Sequence, residues 1–132
     1  MAVDYASFEP DQTISDRSYT LDDAAVALYV EAVGDESGLY DAGVGLTPPM
    51  AVAALGLRGI VEDLQIPGGT LHTSQELEFL AAVEVGAKLR CEADVLQNSV
   101  RGDRRFLVIG LTINDGEGRQ VLAGKSTLVL PT

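Results

Sequence analysis

Residues 48–64 are a long apolar stretch with helical punctuation, and after Pro67-Gly68-Gly69 the pattern turns wholly to strands. That succession constrains the fold more than any other feature of the chain. Thr47 is predicted to cap the helix, with Pro48 at its first position, where a missing N–H costs nothing. The helix is expected to end near Leu64. Val52, Ala53, Leu55, Leu57, Ile60 and Val61 leave it apolar on most faces, so it belongs inside the molecule. Gly56 and Gly59 lower helix propensity but let a neighbour pack very close, and a sheet is the expected neighbour.

Four strand candidates follow: Thr70 to Val83, Lys88 to Asn98, Arg105 to Asn114 and Gln120 to Leu130. Val85-Gly86, Val100-Arg101-Gly102-Asp103 and Asp115-Gly116-Glu117-Gly118 separate them with hairpin turn chemistry. Successive strands joined by short turns predict an antiparallel sheet. Only that sheet is long enough to cover the apolar helix, so it must curl around it. The expected fold class is α+β, with an antiparallel sheet wrapped around a central helix, the arrangement known as hot-dog.

Upstream, Gln12 to Tyr19 reads as a first strand. Thr20 is predicted to cap a first helix, with Asp23 completing a capping box. That helix spans Leu21 to Val33, carries Ala25, Leu28, Tyr29 and Ala32 on one side, and stops at Gly34. Asp41 to Leu46, with Gly43 and Gly45, is a loop. No repeat, low-complexity tract or linker divides the chain, so residues 1–132 are expected to form one domain, and 46% hydrophobic content suffices for its core.

The formal charge of -11 argues against nucleic-acid or anionic-membrane partners, which need a basic surface. Lys88 and Lys125 are the only lysines, a bias that fits an arginine-rich genome better than salt adaptation. Cys91 is the only cysteine, so no intrachain disulfide can form, and with one histidine it cannot build a zinc site. No signal-peptide pattern opens the chain and no apolar run reaches spanning length. The expectation is a cytoplasmic protein without a metal or cofactor.

Gly34-Asp35-Glu36-Ser37-Gly38-Leu39-Tyr40 resembles the Gly-Asp-x-Asn-Pro-x-His active-site turn of the MaoC-like hot-dog hydratases. The resemblance extends through Phe8-Glu9-Pro10-Asp11-Gln12-Thr13-Ile14, Tyr19-Thr20-Leu21-Asp22-Asp23-Ala24, Thr47-Pro48-Pro49-Met50, Glu76-Leu77-Glu78-Phe79, Val83-Glu84-Val85-Gly86 and Asn114-Asp115-Gly116-Glu117. It is similar above all to the N-terminal half of double hot-dog dehydratases. The resemblance implies reversible hydration of a trans-2-enoyl thioester on coenzyme A or an acyl carrier. It also implies an Asp/His pair and main-chain donors at the start of the central helix.

Two departures matter. Tyr40 stands where the histidine belongs, and a phenol of ordinary pKa ~10 is no general base at neutral pH. Pro48 and Pro49 remove two N–H groups from the helix start, leaving Met50 N–H and the helix dipole to meet a developing enolate. Asp35 and Tyr40 are therefore the catalytic candidates, and Pro49, Met50 and Gly45 the substrate-binding ones. Asp35 is weighed two to one as a turn residue, Tyr40 as a group at a pocket mouth or interface, and Glu36 and Asp41 as solvated acids.

Alternation along the second strand places His72 with Ser74, Glu76 and Glu78 on a polar face, where a surface or interface role is favoured over catalysis. Cys91 reads as a small buried hydrophobe. Arg101, Arg104 and Arg105 are weak candidates for phosphate contact. A lone hot-dog unit leaves an open strand edge, so a dimer is expected, with itself or with a catalytic hot-dog subunit. The leading reading is an acyl-thioester-binding or partner subunit with a degenerate site. The alternatives are a free-standing dehydratase, thioesterase or tailoring enzyme with a rearranged site, or a non-enzymatic binder of a lipid-like ligand.

Overall fold

The computed structural model describes residues 2–132. After a short 3-10 turn at Tyr5–Ser7 come β1 (Thr13–Thr20), α1 (Asp23–Val33), α2 (Pro49–Leu64), β2 (Leu71–Phe79), β3 (Lys88–Arg101), β4 (Arg104–Asn114) and β5 (Gln120–Pro131). The strands make one five-stranded sheet in the order β1-β3-β4-β5-β2, antiparallel at every pairing. Its concave face holds α2, as the apolar helix required. This is the hot-dog arrangement.

The two helical glycines set the depth of that contact. A Cβ at Gly56 would lie 2.8 Å from a Leu111 methyl and 2.9 Å from Ile113 Cδ1, so α2 rests directly on β4. A Cβ at Gly59 would come within 3.2 Å of Ser15 Oγ and 3.3 Å of the Tyr19 hydroxyl on β1. Ala53, Leu89, Val95, Leu107, Ile109, Ile113 and Leu122 fill the space around this seam. The helix is not enclosed all round, however. Within one chain Met50 and Val61 stay 49% and 55% exposed.

Several boundaries differ from the sequence reading, each for a local reason. Thr20 closes β1 instead of capping α1; Asp22 is the cap, its carboxylate accepting from Ala25 N–H at 2.8 Å. Val26 is the one fully buried residue of α1, whereas Leu28 is 69% exposed. The buried stripe thus runs through Ala25, Val26, Tyr29 and Val30 rather than through Leu28 and Ala32. Gly34 ends the helix as predicted, in left-handed backbone at φ 70, while Asp35 N–H reaches back to Val30 C=O at 3.0 Å.

Pro48 is the cap position of α2 and Pro49 its first residue, one step later than predicted. Thr47 is occupied elsewhere, as described below. The strand predicted to run from Thr70 to Val83 stops at Phe79. Nor is Val85-Gly86 a hairpin turn, because β2 pairs with β5 and β3 with β1, at opposite sides of the sheet. The other two turns are hairpins: Arg101 pairs with Arg104 around Gly102, and the Asp115 carboxylate gathers the N–H groups of Glu117 and Arg119 at 3.0 and 2.9 Å.

Strand β2 also carries an irregularity. His72 pairs with Leu128 but Ser74 pairs with Thr127, leaving Thr73 as an extra residue. Such a bulge reverses the alternation on one side of it.

Candidate functional site

The start of α2 is built by a clasp between two loops. Thr47 donates twice to Val83 C=O, from its N–H at 3.1 Å and its hydroxyl at 2.9 Å. Leu46 bridges Glu84, and Val85 N–H donates to Gly45 C=O at 2.9 Å. The chain leaving β2 is drawn away from the ladder, with Leu80 N–H on Val121 C=O at 2.9 Å. These bonds hold open a cavity of about 330 Å³ lined by Tyr40, Pro49, Val52, Phe79, Leu80 and Val121, among others. Its walls are apolar, and Pro49 offers no N–H. Met50 N–H is the first main-chain donor of the helix.

Of the five residues singled out from the sequence, Tyr40 and Pro49 meet on this cavity. Gly45 sits in left-handed backbone at φ 85 and contributes its carbonyl to the clasp. Met50 is not among the residues that line the cavity, and it stays half exposed. Asp35 is absent from the cavity too. With Tyr40, Glu36 and Asp41 it borders a separate depression of about 390 Å³ beside α1. Tyr40 thus stands between the two hollows. Ser37, by its hydroxyl and by its N–H at 2.8 Å, holds the Asp35 carboxyl below the usual carboxylate range. Asp35 is thus fixed as a turn carboxylate facing its own loop.

The bulge overturns the predicted setting of His72. On β5, Ser126 and Leu128 face α2, and they pair with Gln75 and His72. His72 therefore lies on the concave side, apart from Ser74, Glu76 and Glu78. It borders a second apolar cavity of about 240 Å³ with Leu57, Ile60, Val61, Ile66 and Thr70 at the far half of α2. Sequence alternation missed this because an extra residue in a strand leaves no mark in composition.

Cys91 is buried on β3, where burial pushes its thiol up to about 11, so it remains a protonated core residue as predicted. The three candidate arginines do not approach the α2 cavity. Arg101 stacks 5.0 Å from the Phe106 ring and Arg105 donates to Asn98 at 2.8 Å, both at the far β3–β4 turn. Lys88 and Arg119 do stand in a polar hollow of about 550 Å³ that shares Leu46, Ala82, Val83 and Val121 with the apolar cavity. Glu84, Asp115 and Glu117 outnumber them there.

Among the described residues, no group of three or more His, Cys, Asp or Glu could hold a metal ion. Among them, too, no helix is long and apolar enough to cross a membrane.

No family model and no curated protein matches the chain in sequence. Solved structures match it in shape. The R-hydratase PhaJ1 from Pseudomonas aeruginosa superposes with a TM-score of 0.80 at 21% identity, over 96% of this chain and 84% of that one. A MaoC-like dehydratase from Rhodospirillum rubrum gives 0.75 at 16% identity, over 96% and 94%. The HadBC 3R-hydroxyacyl-ACP dehydratase complex from Mycobacterium tuberculosis gives 0.76 at 14% identity, over 98% and 99%. The structural neighbours of this chain are thus MaoC-like dehydratases and (R)-hydratases, and the chain has the hot-dog fold that they share.

Proposed function

We propose that the chain binds an acyl thioester, with the acyl group in the apolar cavity at the start of α2, and that it works beside a second hot-dog unit. The observation that carries this reading is the cavity itself. It joins an apolar wall suited to a hydrocarbon chain to the helix start, where Met50 N–H and the helix dipole favour a thioester oxygen. Its lining contains no carboxylate and no imidazole. The unit can hold and orient the thioester, but it has no group of its own on that cavity to move the α-proton. Neighbours that are two-chain complexes, HadBC among them, support the partner role.

A second reading, a free-standing enzyme with a rearranged site, draws on Tyr40, which borders both the cavity and the hollow holding Asp35. The purified chain separates the two. Calorimetry with enoyl-CoAs of short and medium length is expected to show binding, while absorbance of the conjugated thioester stays constant. Turnover abolished by Asp35→Asn establishes the second reading instead. Neither binding nor turnover overturns both.

A further inference from the structure

Carboxylates border the apolar cavity at the start of α2 whichever way a ligand leaves it. The polar hollow shares Leu46, Ala82, Val83 and Val121 with the cavity and is its nearest continuation. Arg119 is engaged there, with Nε 3.1 Å from the Asp115 carboxylate. Hydrogen bonds from the Arg119 main chain, then from that of Glu117, hold this carboxyl below the usual range, so it stays ionised. Lys88 is left with Glu84 and Glu117, both exposed. Across Tyr40, the hollow beside α1 is lined by Glu31, Asp35, Glu36 and Asp41 and by no cation. Along β2, Glu76 and Glu78 lead up to Phe79, and the ammonium of Lys125 lies 3.7 Å from Glu76.

The other cations are held elsewhere. Arg17, Arg58 and Arg90 are in ion pairs with Asp63, Glu62 and Asp16. Arg101, Arg104 and Arg105 stand at the far β3–β4 turn. A thioester carrier, by contrast, has parts of different charge. The pantetheine arm is neutral and carries amides, whereas the nucleotide end of coenzyme A is heavily phosphorylated. Anchoring that end takes a basic surface, and carboxylates near it repel it.

We infer that this chain selects its ligand by the charge of the carrier. It favours an acyl group on an uncharged, pantetheine-like arm and opposes one on a phosphorylated nucleotide, with Glu84 and Glu117 as the selecting residues. The amides of the arm find donors in Lys88 and Arg119 and acceptors in the carboxylates of the same hollow. A phosphorylated carrier then needs cations supplied by the second hot-dog unit. The inference rests on the acyl-thioester reading.

Octanoyl-pantetheine and octanoyl-CoA share an acyl group and an arm and differ only in the nucleotide. Calorimetry at about 10 mM salt is expected to favour octanoyl-pantetheine by roughly three- to ten-fold. At about 150 mM the gap is expected to narrow, because screening raises the octanoyl-CoA affinity. Octanoyl-CoA binding as tightly or more tightly at low salt overturns the inference. A gap that persists at high salt means steric rejection and overturns it too. Glu117→Lys, at an exposed turn position, is expected to narrow the low-salt gap roughly two- to five-fold. A gap indifferent to that substitution removes Glu117 as a selecting residue. No affinity for either ligand at either salt sinks the acyl-thioester reading, and the inference with it. Binding of both without a gap leaves that reading standing and removes the inference alone.

Discussion

Ser15 and Asp63, separated by 48 positions, share a 2.5 Å hydrogen bond that ties β1 to the last turn of α2. Arg17 completes the grip, giving Nε and Nη2 to the two oxygens of the same carboxylate at 3.1 and 2.5 Å. This polar clamp fixes the end of the helix at one margin of the sheet, as the Thr47–Val83 clasp fixes its start.

The clamp makes stability depend on acid. Hydrogen bonding from Arg17, then from Ser15, together with the Arg17 charge, holds the Asp63 carboxyl below its ordinary value despite partial burial. A depressed folded value contributes stability that is present above the unfolded pKa of ~3.9 and is lost as pH falls through the folded value. Asp63→Asn is expected to cost about 1 kcal/mol at pH 7, discounted because the pair is partly exposed. Urea titrations should show the variant and the parent converging as the pH drops below about 4.

Gly56→Ala tests the seam between α2 and β4. Alanine favours a helix by up to ~1 kcal/mol over glycine, but overpacking typically costs about 1–3 kcal/mol. Leu111 and Ile113 are themselves buried, so their methyls have little room to retreat. The net expectation is a loss of about 1 kcal/mol, read from the chemical denaturation midpoint. A more stable variant would mean that the sheet yields at this point.

Tyr19→Phe should act in the opposite direction. The Tyr19 hydroxyl is buried beneath α2 without a partner, so removing it relieves an unpaired group and leaves the ring in place. A gain of up to about 1 kcal/mol is expected in thermal or urea unfolding.

Filling the helix-start cavity tests the binding site without touching its polar groups. Val52 is buried on its wall, and Val52→Phe is expected to abolish binding of medium-chain thioesters while far-UV dichroism stays unchanged. Tyr40→Phe is expected to bind as the parent does, because no hydrogen bond of the Tyr40 hydroxyl contributes to the cavity. A large loss in Tyr40→Phe would instead give the phenol a direct part in recognition.

Most of the architecture is legible in the residues themselves. The apolar run around Val52 and Ile60 demanded a cover, and the strands from Lys88 onwards were bounded by Gly102 and by Asp115, whose side chains or backbone make real turns. What escaped were decisions made by distant partners. Thr47 has the chemistry of a helix cap, yet Val83 takes both its donors. Leu28 has the spacing of a core residue, yet α1 buries Val26 and leaves Leu28 exposed. At the site, the Gly34–Tyr40 turn located Tyr40 well. It did not foretell that Ser37 would turn Asp35 away from the apolar cavity, or that His72 would face inward.

Thr73 therefore has an influence out of proportion to its own contacts. Were Thr73 to take a place in a regular ladder, it would stand opposite Leu128, and His72 would shift to Val129 and Leu71 to Leu130. The imidazole of His72 would then turn to the convex surface and Leu71 would swing beneath α2. A hollow rimmed by an imidazole would become a greasy one, although no residue of the chain had been replaced. A one-residue slip of register in an edge strand can in this way redraw a binding preference that point substitutions reach only piecemeal.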